Sequence, residues 1–312
     1  MTLDADHLRY PNRRQGMDHD RYDWSMLAAR APIAWPGGAH VALWVNVAVQ
    51  FFPLDQAGKP FPPPGGMSTP YPDLRHFTLR DYGNRVGIVR CLEALDAFGI
   101  RPTFAVNGAV AGRCPTLIER LVARGDEILA SSWHMDTVHH GDMDAAAERE
   151  LVDRTLTTLR ERTGQPVEGW VSPAGSQSHR TPDILVEHGV RYMGDWINDE
   201  LPYAFRTDAG EAGEIVALPL SLELDDQFLI GASLHSEWEY ATQVKDACDY
   251  LVAEAAATGR GRLLALSVHP WLLGQPHRIG AFESVLEHLA ATRGVWSASA
   301  SEIVAAWRDQ QD

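Results

Sequence analysis

The feature that most limits the fold is an alternation. Short apolar runs rich in β-branched and aromatic residues recur between longer segments with helical spacing. HVALWVNVAV (40–49) opens the series, and RPTFAV (101–106), DEILASS (126–132), GWVS (169–172), YMGDW (192–196), IVALPLS (215–221), RLLALSVHP (262–270) and VWSAS (295–299) continue it. Runs of this kind suit strands buried on both faces. Between them lie amphipathic stretches with glycine stops. In 84–99, Val86, Val89, Leu92 and Leu95 fall on one helical face ahead of Gly99. Further helices are predicted over 115–125, 143–162, 181–187, 240–257, 282–290 and 302–307, several ending at a glycine such as Gly164 or Gly189.

Strand and helix alternating seven or eight times require right-handed parallel connections, in an open doubly wound sheet or a (β/α) barrel. No GxGxxG comes after the first strand, so the dinucleotide-binding sheet loses its main support. The expectation is an α/β fold: a distorted, closed (β/α) barrel of about seven parallel strands over residues 39–312, one domain with an N-terminal arm, 1–38. The proline- and glycine-rich stretch from Phe51 to Leu74 excludes helix and central strand and reads as a lid or substrate wall.

Charge narrows the partners. Lys and Arg number 27 against 42 Asp and Glu, a formal net charge of −15, so the chain lacks the basic footprint that nucleic acid or an anionic membrane requires. The two lysines, Lys59 and Lys245, stand in no phosphate-loop motif. Cys91, Cys114 and Cys248 are odd in number without CxxC spacing, and read as reduced residues rather than a disulfide framework. With no apolar leader and no run of 18 apolar residues, the expectation is a cytoplasmic enzyme acting on a small molecule, with a homo-oligomer possible.

In a (β/α) barrel the reactive groups come from the C-terminal ends of the strands. Past the ends of the first three runs stand Gln50, then Asn107, then Ser131, Ser132, Trp133, His134, Met135 and Asp136 with His139 and His140 behind them. Later runs add Ser172 and Pro173, then Asp195, Trp196, Asn198 and Asp199, then His269, Pro270, Trp271, His277 and Arg278. Ionisable residues thus gather on one rim. Several have structural readings beside the functional one: a backbone-bonded core histidine for His269, a helix cap for His134, an N-cap for Asp81, turn formers for Asn198 and Asp199, a solvated loop pair for His139 and His140. Trp133, Trp196 and Trp271 together suggest a flat apolar pocket lining.

The segments RDYGNR, PTFAVNG, GDEILASSW, GWVSP, YMGDWINDELPY and HPWLLGQPHRIGAFE, in this order, resemble the polysaccharide deacetylase (NodB-like) superfamily from about Val41 to Val304. Within it the chain is most similar to the branch of cofactor-independent allantoinases and related cyclic amide hydrolases. The resemblance implies a general acid at His269, an orienting residue at Asp195 beside Trp196, and a groove wall at Gly169 to Pro173. It also implies a departure. Where sugar deacetylases carry paired aspartates the chain has Gln50 and Phe51, and where they carry the first histidine ligand it has Ser131. A catalytic zinc needs about three protein ligands. Either no metal is used, or a divalent ion such as zinc is held by His134, Asp136, His139 and His140.

The expected reaction is hydrolysis of a C–N bond in a small amide, cyclic amide or imide. His269 protonates the leaving nitrogen and Asp195 orients its ring, while His134 or Asp136 serves as base. Gln50 and Ser131 donate hydrogen bonds to the oxyanion, His277 contributes to the site wall, and Arg278 holds a carboxylate or imide oxygen. The alternatives are a carbohydrate N-deacetylase and a catalytically inactive ligand-binding member of the same fold.

Overall fold

The computed structural model describes residues 19–56, 72–209 and 213–311. Most of the proline-rich stretch and the first 18 residues of the arm lie outside the described residues. One nine-stranded sheet organises the chain. Its strands are β1 (Val41–Val49), β2 (Pro102–Val106), β3 (Glu127–Ala130), β4 (Gly169–Trp170), β5 (Tyr192–Met193), β6 (Tyr203–Arg206), β7 (Glu214–Ala217), β8 (Arg262–Val268) and β9 (Val295–Ser297). The spatial order is β6-β7-β5-β4-β3-β2-β1-β8, with β9 pairing the first residues of β1 below β2. The helices are α1 (Leu74–Tyr82), α2 (Ile88–Phe98), α3 (Gly108–Arg113), α4 (Pro115–Ala123), α5 (Ala145–Thr163), α6 (Thr181–Glu187), α7 (Glu237–Thr258), α8 (Pro270–Leu273), α9 (Ile279–Ala291) and α10 (Ala300–Arg308).

The α/β class and the distorted (β/α) barrel agree with the pattern of the sequence, with two corrections. The strands are not all parallel: β6 and β7 form an antiparallel hairpin, because a short connection can only fold the chain straight back. Nor does the sheet close strand to strand. The open seam lies between β8 and the β5–β7 side, where the Leu263 amide donates to the Glu200 carbonyl at 3.0 Å.

The pleat of β1 explains the layering. All nine of its residues are buried. Val41, Leu43, Val45, Val47 and Val49 face outward into the core under the helices, whereas Ala42 and Trp44 join an inner core with Ala105, Leu129, Tyr192 and Leu263. The foot of the barrel is sealed by α10, whose first amides donate to Thr103 Oγ1 and Glu127 Oε2, both at 3.0 Å. Ile33 and Trp35 of the arm belong to the same inner core, and Trp35 Nε1 donates to the Arg262 carbonyl at 2.8 Å. Residues 19–38 are therefore packed onto the barrel's foot and its β6 edge, where the Arg206 amide donates to the Arg21 carbonyl.

Asp81 is not an N-cap. The helix begins ten residues before the predicted start, at Leu74, and Asp73 caps it by accepting from the Arg75 and His76 amides. Helix α1 runs through a π-turn at Gly83–Gly87 into α2, and this turn crosses α8 at contact distance. A Cβ on Gly87 would lie 1.9 Å from the Pro270 carbonyl oxygen, and one on Gly274 would lie 2.4 Å from the Gly87 Cα. RDYGNRVG and HPWLLG thus fit as one glycine-to-glycine crossing, which fixes the chain immediately after His269. Among the described residues no helix is long and apolar enough to cross a membrane.

Candidate active site

The C-terminal strand ends surround a cavity of about 520 Å³. Its floor and strand-side wall carry Asn46 and Ala48 of β1, Ala105 of β2 and Ser267 of β8, and its rim carries Gln50, Ser131, Asp195 and His269. The small side chains of Ala48 and Ala105 leave the room. Asn107 stitches the rim, its Oδ1 accepting from the Phe51 amide at 2.7 Å and its Nδ2 donating to the Ser131 carbonyl. Two non-glycine residues beside this rim, Ser132 (φ 53°) and Ala174 (φ 56°), hold left-handed backbone that costs on the order of 1 kcal/mol each.

His269 is buried, and Asp226 clamps it twice. One carboxylate oxygen accepts from the backbone amide at 2.8 Å, and the other accepts from the ring Nδ1–H at 2.5 Å. That leaves Nε2 for a ligand. Burial pulls the imidazole pKa down, but the charges of Asp226 and of Asp225, 4.0 Å away, outweigh it, so His269 is held above its ordinary value. Behind the ring stands Trp271, edge-on at 5.9 Å; its Nε1 donates to Gln50 Oε1 at 3.2 Å, and the Arg80 guanidinium lies 3.5 Å above its face. Arg80 itself lines the cavity. Burial lowers its pKa to about 10, so it remains a cation.

Asp195 also faces the cavity, but it does not orient His269. Its oxygens accept from the Ser172 amide at 2.6 Å and from Gln177 Nε2 at 2.5 Å, and burial raises its pKa. The orienting carboxylate is Asp226, from the turn after β7. The same strand-end signal marks it in the sequence, since Asp225 and Asp226 come within five residues of the end of IVALPLS.

Other predicted site residues are not on the cavity wall. His134 and Asp136 are half-buried on the loop after β3, with Met135 rather than either of them facing the cavity. Trp133 packs between Gly108 and Arg154, whose guanidinium lies 3.7 Å above its ring. Trp196 packs on Phe205 and donates to Gln177 Oε1 at 3.0 Å, so it braces the amide that holds Asp195. His277 is exposed and Arg278 half-buried, both beyond α8 and outside the cavity lining. Trp271 stands behind Gln50. Gln50 and Ser131 do face the cavity.

The proposed ligand cluster also comes apart. His139 is not a solvated loop residue but fully buried: its Nε2 accepts from Ser132 Oγ at 3.0 Å and its Nδ1–H donates to Glu148 at 3.2 Å. His140 is exposed. Among the described residues two other groups bring three donor atoms within 4.8 Å of one another: Asp225, Asp226 and His269, and Cys248, Asp249 and His288 between α7 and α9. In the first, the 2.5 Å from Nδ1 to Asp226 is a hydrogen-bond separation, shorter than two ligands flanking one ion at about 2.0–2.2 Å each allow in a tetrahedral site. At the positions where the resemblance places metal ligands stand an amide, a phenyl ring and a hydroxyl. These donors do not fit a catalytic zinc.

Residues 79–193, from α1 to the end of β5, match the polysaccharide deacetylase family. Over these residues the chain is similar to that family. By sequence it is 20% identical over 284 residues to a Schizosaccharomyces pombe protein described as a polysaccharide deacetylase, covering 87% of this chain and 86% of that one. It is 21% identical over 252 residues to the peptidoglycan deacetylase of Helicobacter pylori, covering 71% and 84%. A crystal structure described as a probable polysaccharide deacetylase from Pseudomonas aeruginosa PAO1 superposes with a TM-score of 0.77 at 25% identity over 90% of this chain and 95% of that one. The structure described as Puue allantoinase superposes at 0.78 with 24% identity, covering 93% and 99%, a likeness of fold. The likeness of fold therefore extends over the whole barrel, while the neutral residues Gln50, Phe51 and Ser131 at the expected ligand positions set this chain's cavity apart from a zinc site.

Proposed function

We propose that the protein hydrolyses a C–N bond of a small amide, cyclic amide or imide. One observation carries this reading: a clamped, charge-supported imidazole opens onto a cavity whose remaining strand-side groups are uncharged amides and hydroxyls. Such a cavity suits a neutral substrate whose charge develops during reaction. Asp195, its pKa raised by burial, accepts the proton of the attacking water. The water oxygen bonds to the carbonyl carbon, the C=O electron pair moves to oxygen, and the Gln50 amide, the Ser131 hydroxyl and the fixed charge of Arg80 stabilise the oxyanion. As the tetrahedral centre collapses and the C–N bond breaks, nitrogen takes the proton from His269 Nε2. An allantoinase among the structural neighbours is in line with this chemistry.

Carbohydrate N-deacetylation is the second reading, favoured by the names of the sequence relatives, and it also breaks an amide C–N bond. A panel of cyclic ureides, imides and N-acetylated sugars, with purified wild type and His269→Ala, tests both. Turnover of a cyclic member, lowered about 10²–10⁴-fold by the substitution, is the expected result. Turnover of acetylated sugars alone overturns the first reading, and a correctly folded His269→Ala with wild-type rate overturns the role of His269.

A further inference from the structure

Asn46 occupies the middle of β1, where its backbone is paired with Thr103 on one side and Ser267 on the other. Asparagine is disfavoured at such a position. Its side chain is buried, faces the barrel interior and lines the cavity floor, and its Oδ1 has no hydrogen-bond partner. Buried polar groups are almost always paired, so this one requires a ligand or water. The register sets the level of the amide. Ser267 lies beside Asn46, so His269 lies beside Ala48, two residues or about 6.6 Å further up the strands. The amide is at the bottom of the cavity and the acid one inward-facing position above it, with the methyl groups of Ala48 and Ala105 in the lining between them.

We infer that Asn46 determines specificity by pairing with the edge of a cyclic amide, a ureide or imide ring. This rests on the hydrolase reading for the reaction but not for the binding. A primary carboxamide presents a C=O and an N–H side by side. A five- or six-membered ring holds its amide cis and presents the complementary pair on one edge, so two antiparallel hydrogen bonds form at once. The match holds whichever way the Asn46 amide is turned. An open-chain secondary amide, such as the acetamido group of a sugar, is trans and directs its C=O and N–H to opposite sides. It satisfies one atom of Asn46 and strands the other, and a buried polar group left unpaired is the strongest basis for rejecting a wrong substrate. Ala48 and Ala105 provide the space a ring needs above that edge, and the backbone register places His269 one inward-facing position higher.

The test uses two neutral probes of similar size, hydantoin for the cis edge and N-methylacetamide for the trans amide. Binding is measured by NMR titration to wild type and Asn46→Leu, with the melting temperature of each. Wild type is expected to bind hydantoin at least about tenfold more tightly than N-methylacetamide. Asn46→Leu is expected to lose that preference while melting no lower than wild type, since the substitution replaces an orphaned amide with an apolar group. An equal preference in both proteins, or absence of hydantoin binding to wild type, overturns the inference, as does a lowered melting temperature with the preference intact, the mark of a structural amide. Asn46-dependent hydantoin binding without hydrolysis of any amide refutes the hydrolase reading and leaves this one standing. Cyclic-amide hydrolysis with the same cyclic-to-acyclic kcat/KM ratio in both proteins does the reverse.

Discussion

Glu148 of α5 gives the most quantitative test of how the rim is held. Its carboxylate is fully buried and accepts from His139 Nδ1 at 3.2 Å, from Ser178 Oγ at 2.8 Å, from Thr181 Oγ1 at 2.6 Å and from Arg180 at 3.2 Å. Burial alone would raise its pKa, but the bonds from His139, Thr181 and Ser178 overcome that and hold it at about 2, against 4.5 for an ordinary glutamate. At 1.36 kcal/mol per unit the difference corresponds to on the order of 3 kcal/mol of folding stability. The sign comes from the depressed value: the contribution is complete above about pH 4.5 and fades as pH falls towards 2. Glu148→Gln keeps the shape and removes the charge. Guanidinium denaturation at pH 7 is expected to show the variant about 3 kcal/mol less stable with an unchanged m-value. Close to pH 2.5 the gap narrows to about 1 kcal/mol or less. A gap of the same size at both pH values refutes the assignment of that stability to the ionised carboxylate.

Asp226→Asn keeps the shape and one of the two accepting oxygens but removes the main charge acting on His269, so the imidazole pKa tracked by NMR is expected to fall; an unchanged value refutes the pairing. Because His269 is held above its ordinary 6.5, the pair stabilises the wild type fully below that pH and less as pH rises through the native value, so the stability difference between wild type and variant shrinks on going alkaline. Gly87→Ala places a methyl 1.9 Å from the Pro270 carbonyl, against backbone that cannot step aside. Despite a helix-propensity gain of about 1 kcal/mol, a net loss of about 2 kcal/mol or more is expected in denaturant melts, and unchanged stability would show that the crossing gives way easily. Ala48→Leu fills the cavity without touching a polar group, so it is expected to abolish probe binding while changing stability by about 1 kcal/mol or less; retained binding would place the ligand elsewhere.

The barrel was legible because its signal is periodic. The outward valines of β1, the glycine stop at Gly99 and the helix over Thr181–Glu187 each arise from local pattern alone. The β6–β7 hairpin was not legible, since YAFR is four residues long and no stronger than the loops around it. Gln50, Ser131, Asp195 and His269 were legible because they stand just past strand ends. The loop after β3 was less legible: only Ser131 and Met135 of it reach the cavity, and its histidine density does not make a ligand set, because burial makes His139 a partner of Glu148. Arg80 had no available signal. It reaches the cavity from a helix whose start lies beside the proline-rich stretch, and nothing in its spacing marks it.

The inward positions of β1 and the residue just past it read Asn46, Ala48, Gln50, and those of β8 and just past it read Ser267, His269. Four of these five are neutral, so the strand side of the cavity holds no fixed charge apart from the imidazole. Every other charge comes from elements that succeed strands or cap the mouth: Asp195, Asp225 and the clamping Asp226 on one side, Arg80 on the other. This division has a consequence for catalysis. On the proposed reading the substrate is a neutral amide, and charge appears only as water adds to the carbonyl. The positive groups then gain more from the transition state than from the substrate, which is the condition for lowering the barrier rather than merely binding more tightly. Restoring a carboxylate at Gln50 puts a negative charge beside the developing oxyanion. It is therefore expected to slow amide hydrolysis even where it improves cation binding, and faster hydrolysis in Gln50→Glu without added metal would refute this division of charge.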